Sequence, residues 1–231
     1  MQYRIVVLCA LFLALSGRAR ADPINWTDWT SAAVGAGGSA QGVVTRNSTL
    51  ISVDYSGEVT PNSQTSGGIN YWLPSSPYMS PTIDNGPPCC DIITLVGGST
   101  LTNTLTFSAP LTNPVLAIAS LGRASRPVRY LFNEPFQVLS SGPGFWGGPG
   151  TLTGSGNVLT GIEGHGAIQF QGTFSSLSWN APDAEFWHGF TLGVSDAAAV
   201  PEPMTLMLTG FGVAVAAWRR RSRMASRESL E

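Results

Sequence analysis

The stretch "STLTNTLTF", residues 99–107, sets a threonine at every second position from Thr100 on. Successive side chains of an extended chain point to opposite faces, so Leu101, Leu105 and Phe107 share one face and Thr100, Thr102, Thr104 and Thr106 the other. A helix would scatter both sets around its circumference. The period of two therefore predicts a strand in a sheet with one dry side and one wet side. Outward from it, "VDYSGEV" (53–59), "PVLAIASL" (114–121), "PVRYLF" (127–132), "AIQFQGTFSSLSW" (167–179) and "FWHGFTLGV" (186–194) are rich in β-branched and aromatic residues and bounded by Gly, Pro, Asn and Ser. Turn residues recur about every 8–12 positions, the spacing of a sandwich or jelly roll. Between the termini no long stretch has a helical period. The expectation is all-β: a single antiparallel, jelly-roll-like β-sandwich domain over residues 22–194.

The two ends differ from this body. Arg4 precedes the apolar run Ile5–Leu15, and Ala19-Arg20-Ala21 places small residues at the −3 and −1 positions before Asp22. This is the pattern of a signal peptide over residues 1–21, cut by signal peptidase after Ala21. At the other end, "SDAAAV" begins a linker (195–199) that leads to Val200-Pro201-Glu202-Pro203, and Met204–Trp218 is an uncharged, largely apolar run. A helix of that length reaches roughly 22 Å, short of a ~30 Å hydrocarbon core. Arg219, Arg220, Arg221 and Arg223 follow at once, with Arg227 beyond, and such a cluster stays cytoplasmic. The run is marginal as a permanent anchor and well suited to a temporary stop. The two prolines hold residues 200–203 extended at the outer membrane face, and residues 224–231 form a cytoplasmic tail.

These parts together resemble the PEP-CTERM sorting signal, over 200–223: the motif at 200–203, a transmembrane helix at 204–218 and the Arg cluster at 219–223. The resemblance implies export by a bacterium with an outer membrane and processing by exosortase, an integral-membrane protease. It further implies a place at the cell surface or in the extracellular matrix, in association with exopolysaccharide. The body is similar to a group of such proteins sharing "NWTDWTSA", "SGGINYW" and "LSSGPGFWG", a likeness that implies context and no activity.

Charge and cysteine usage narrow the function classes. Residues 22–203 carry four Arg against twelve Asp and Glu, a net charge of −8, and the chain has no Lys. Phosphate-backbone binding needs cations to displace counterions, so nucleic acid is excluded as a partner. The local basic group Arg123, Arg126 and Arg129 reads as exposed edge and turn charge. Once the signal peptide carries Cys9 away, the adjacent Cys89 and Cys90 remain, and the reading is a vicinal disulfide that locks a loop.

No catalytic activity, metal or cofactor is expected. "GPGFWGGPG" lacks the Lys and helix of a phosphate loop, and no G-x-S-x-G elbow occurs. Glu163, His165, Glu185 and His188 would make a metal-dependent hydrolase if they converged, but no tight ligand motif links them. The two histidines read instead as strand residues bonded to backbone or solvent. The stronger alternative is carbohydrate binding, since flat aromatic rings on loops stack on sugar rings. Tyr71, Trp72, Phe145 and Trp146, set among Gly, Pro and Ser, are the candidate glycan contacts, and Trp179 reads as core.

Overall fold

The computed structural model describes residues 21–196. Most of the predicted signal peptide with Ala19, the motif Val200–Pro203, the apolar run 204–218, the arginines at 219–223 and the tail 224–231 lie outside these residues. In chain order the strands are β1 (Ile24–Trp26), β2 (Asp28–Ala33), β3 (Gly35–Arg46), β4 (Thr49–Val59), β5 (Ile93–Leu95), β6 (Thr102–Thr112) and β7 (Val115–Leu121). They continue as β8 (Val128–Phe132), β9 (Phe136–Gly142), β10 (Thr151–Ser155), β11 (Val158–Ile162), β12 (Gly164–Phe170), β13 (Thr173–Asn180) and β14 (His188–Ser195).

They form two antiparallel sheets. The six-stranded sheet has the order β1-β14-β7-β12-β9, with β5 also paired to β14; the eight-stranded sheet runs β10-β11-β8-β13-β6-β4-β3-β2. Within them the quartets β5-β14-β7-β12 and β6-β13-β8-β11 have the strand order of a jelly roll, each crossing connection passing from one sheet to the other. The remaining strands widen both sheets. The alternation of residues 99–107 is realised in β6, where Leu105 and Phe107 are buried and Thr102 and Thr106 exposed. They meet Leu116 and Ile118 of β7 and Phe190 and Leu192 of β14 in one core cluster. Each such side chain stabilises the fold by roughly 1.5–3 kcal/mol. Trp179 lies in this core with 1% of its surface exposed.

One polar residue shares that interior. Asn103, on the dry face of β6, accepts from Tyr55 Oη at 2.7 Å and from the Glu58 amide at 3.0 Å, and donates to the Trp179 carbonyl at 3.4 Å. Bonded at both its oxygen and its nitrogen, it ties three strand segments together where a lone buried amide would be destabilising. Burial raises the pKa of the Tyr55 hydroxyl well above its usual value, with the nearby Glu58 carboxylate adding to the shift, so it remains a donor.

The six-stranded sheet has no wet side over its central strands. Every residue of β7 is buried. Residues 60–92, between β4 and β5, lie across this sheet as a third layer, placing Trp72, Tyr78, Ile83 and Ile92 over Val115, Ala117, Ala119 and Ala167. The covered face is small-residue: Ala117 and Ala119 on β7, Ala167 on β12, Gly189 and Gly193 on β14. A methyl group at Gly193 would overlap Ile24, so the close approach of β1 depends on that glycine. Within the layer Cys89 and Cys90 are joined as a disulfide, and Cys90 Sγ sits 3.6 Å from the Gly68 carbonyl.

Two boundaries differ from the sequence reading. "AIQFQGTFSSLSW" is two strands, β12 and β13, parted at Gln171-Gly172. Ser195 completes β14 opposite Ile24 rather than opening the linker, and the Asp196 carboxylate accepts from Asn25 Nδ2 at 3.0 Å and the Asn47 amide at 2.7 Å.

Candidate functional site

The crossing connections 96–101, 122–127 and 181–187 and the turn at Glu163 meet at one end of the jelly roll. Glu185 is the centre of this junction. Its amide donates to the Val96 carbonyl at 2.9 Å, and its Oε1 accepts from the Gly122 amide at 2.9 Å and from His188 Nδ1 at 2.7 Å. Beside it Ser120 Oγ donates to Glu163 Oε1 at 2.6 Å. Arg129 forks onto Asp183, with Nε 2.8 Å from Oδ2 and Nη2 3.1 Å from Oδ1, and this guanidinium holds the Asp183 carboxyl below its usual pKa.

Onto this junction comes the loop 143–150 between β9 and β10. The Gly147 amide donates to the Gly144 carbonyl at 2.9 Å, closing a tight turn whose two central residues are Phe145 and Trp146. A methyl group at Gly144 would overlap the His165 ring, so only glycine lets the turn sit this low. Tyr71 arrives from the covering layer and Trp187 from the 181–187 connection. Tyr71 stacks on Trp146 with centroids 5.4 Å apart and planes 25° apart, and Trp187 meets Trp146 edge-on at 4.8 Å and 73°. Phe145 packs edge-on against both Tyr71 at 5.2 Å and Trp146 at 4.9 Å. Phe145 and Trp146 keep 42% and 48% of their surface exposed, while Tyr71 and Trp187 are half-buried. Four rings from three loops thus form one surface patch.

The patch includes Tyr71, Phe145 and Trp146 of the four expected glycan contacts and excludes Trp72. That residue is 1% exposed, meets Tyr78 edge-on at 5.1 Å and donates from Nε1 to the Asp91 carbonyl at 3.2 Å. Tyr71 and Trp72 lie in a turn, where the Trp72 amide donates to Asn70 Oδ1 at 3.1 Å, and the turn sends Tyr71 to the patch and Trp72 into the space over the sheet. The sequence missed Trp187 because its place depends on the junction around Glu185, which brings distant loops together.

Beyond the domain, residues 199–221 match the family model of the PEP-CTERM protein-sorting motif. The chain carries a PEP-CTERM sorting motif. It is therefore an exported protein, processed by exosortase, a membrane protein, and sorted to the cell surface or the extracellular space. Neither a curated protein nor a solved structure matches the chain.

Of the four groups that would make a metal site in this PEP-CTERM protein, Glu185 and His188 contact each other, while Glu163 and His165 are each held by another partner. Glu163, with φ +50° just before β12, bonds to Ser120. His165 Nδ1 lies 2.8 Å from Tyr78 Oη, and His188 is engaged by Glu185. Both histidines are fully buried and bonded to side chains, which corrects the expectation of backbone or solvent partners. Among the described residues no three His, Cys, Asp or Glu side chains are placed to hold a metal ion. Burial lowers the His165 pKa to about 4 and raises that of Tyr78, so a neutral imidazole and a protonated phenol form the link between β12 and the covering layer.

Proposed function

We propose that the jelly roll of this PEP-CTERM protein is a non-catalytic binding domain of the cell surface or extracellular matrix. It associates with exopolysaccharide by laying sugar rings on the patch of Tyr71, Phe145, Trp146 and Trp187. The observation that carries the reading is the patch itself: large flat rings, two of them half exposed, fixed by loops that are braced from beneath. An apolar cluster left at a surface marks a contact for something else, and pyranose faces suit rings of this size. The non-catalytic part of the reading draws support from the histidines, both committed to interior hydrogen bonds.

In this reading a signal peptide, cut by signal peptidase after Ala21, starts export, and the run 204–218 with its arginines pauses the chain in the membrane until exosortase acts. A mature chain beginning at Asp22 suits the fold, because the Asp22 nitrogen already donates to the Thr82 carbonyl at 3.2 Å. Native affinity electrophoresis of the secreted protein, in gels cast with the exopolysaccharide of the producing bacterium, tests the proposal. The wild type is expected to be retarded and W146A to run freely. Unretarded wild-type protein would remove the glycan-binding role.

A further inference from the structure

The patch stands next to a charge anomaly. Among the described residues three of the four arginines fall within 123–129, on a domain whose other ionisable surface is mostly acidic. Arg129 is neutralised by Asp183. Arg123 and Arg126 have no carboxylate within ion-pair distance among the described residues, although the charge of Arg126 also helps to hold the Asp183 carboxyl down, and they face one another across a tight turn in which each amide donates to the other's carbonyl, at 2.9 and 3.0 Å. The Arg123 guanidinium lies over the ring of Phe186, 4.8 Å from its centroid. Phe186 is 78% exposed and directly precedes Trp187 of the patch. The neighbouring carboxylates are already engaged, Glu185 by Gly122 and His188, Glu163 by Ser120. The turn is braced to the patch through the same contacts, since the Glu185 that accepts from Gly122 lies two residues before Trp187.

From this juxtaposition we propose that the patch and the Arg123–Arg126 turn form one site for an acidic polysaccharide, its uronate carboxylates taken by the guanidiniums and its ring faces by the aromatics. The inference rests on the glycan-binding reading above and adds the ligand's charge. A guanidinium offers paired N–H donors that match a carboxylate, and one already parked on a ring loses little freedom when it binds. Elsewhere the net charge of the body repels a polyanion, so attraction is confined to this corner.

The test is retardation of the secreted protein in native gels containing polygalacturonate or the same polymer after carboxyl reduction. Wild-type protein is expected to bind the acidic polymer about tenfold more tightly than the reduced one, as two charge-assisted contacts imply. The double variant R123Q/R126Q should lose that preference while still binding the reduced polymer. W146A should lose both, and R46Q, a cation removed elsewhere, should change neither. Equal wild-type retardation by both polymers, or an R46Q effect matching the double variant, overturns the acidic site and leaves the glycan reading standing. No retardation by either polymer also overturns the acidic site, while the glycan reading falls only if the gels cast with the bacterium's own exopolysaccharide fail as well.

Discussion

Trp72 and Trp146 are equivalent in composition and opposite in consequence. Trp72 is enclosed between the covering layer and the six-stranded sheet, so W72A leaves a cavity and an unpaired Asp91 carbonyl, at a cost of about 3–5 kcal/mol. Trp146 caps the patch from outside, and W146A should cost less than about 1 kcal/mol while abolishing binding. Urea unfolding of the two variants separates the roles; equal losses would put Trp146 in the core. His165 gives a second expectation. With a folded pKa of about 4, it takes a proton less readily than the unfolded chain, whose histidine titrates near 6.5. Its contribution is therefore complete above about pH 6.5 and is lost as pH falls toward 4, by up to about 3 kcal/mol. Asp91, raised to about 6 by burial, works within the same window with the reverse sign, because folding there requires its carboxyl to take up a proton, which grows costlier as pH rises. Asp91 is only part-buried, so solvent screening shrinks its share and the wild-type profile follows His165 in sign. H165Q isolates the imidazole: the stability gap between wild type and H165Q should shrink from pH 7 to pH 4, and a gap that stays constant would mean that His165 does not titrate.

Among the elements, β7 shows what a sequence discloses and what it hides. "PVLAIASL" announces a strand, and Leu116 and Ile118 announce the core, but Ala117 and Ala119 read equally well as an indifferent outer face. Their meaning comes from residues 60–92, whose Pro, Gly and Ser content reads as successive turns while Trp72, Tyr78 and Ile92 fasten it to the sheet. A117L should push this layer outward, costing about 1–3 kcal/mol by overpacking, and should open 60–92 to limited proteolysis. Uncut protein of wild-type stability would show that the layer yields without strain. Strands β4, β6, β8 and β14 were legible because they alternate or are β-branched and aromatic. β3 was not, since a run of Gly, Ala and Ser gains its strand form from β2 and β4 on either side rather than from propensity. The candidate site was half legible for a related reason. Phe145-Trp146 in a Gly-Pro loop signals exposure locally, but Trp187 and the Arg123–Phe186 pair exist only once Glu185 has drawn the connections together.

For the molecule as a whole, the domain closes before the sorting motif begins. Ser195 pairs with Ile24, and Asp196 clamps both Asn25 and the Asn47 turn, so the last described residues are joined to the first strand. Cleavage within 199–221 would therefore remove the address and spare the fold. Protein recovered from the medium is expected to begin at Asp22 and to end short of Met204, with the same unfolding midpoint as unprocessed chain held in detergent. D196A should lower that midpoint in both forms, since two hydrogen bonds to one carboxylate are worth about 2 kcal/mol. Changing Glu202 and Pro203 to Ala should leave the midpoint alone and keep the protein cell-associated with its carboxyl end intact. Mass spectrometry of both termini reads these outcomes together. Medium protein that still extends to Glu231 would mean that the motif is not cut, and a midpoint that falls on cleavage would mean that the tail supports the domain as well as directing it.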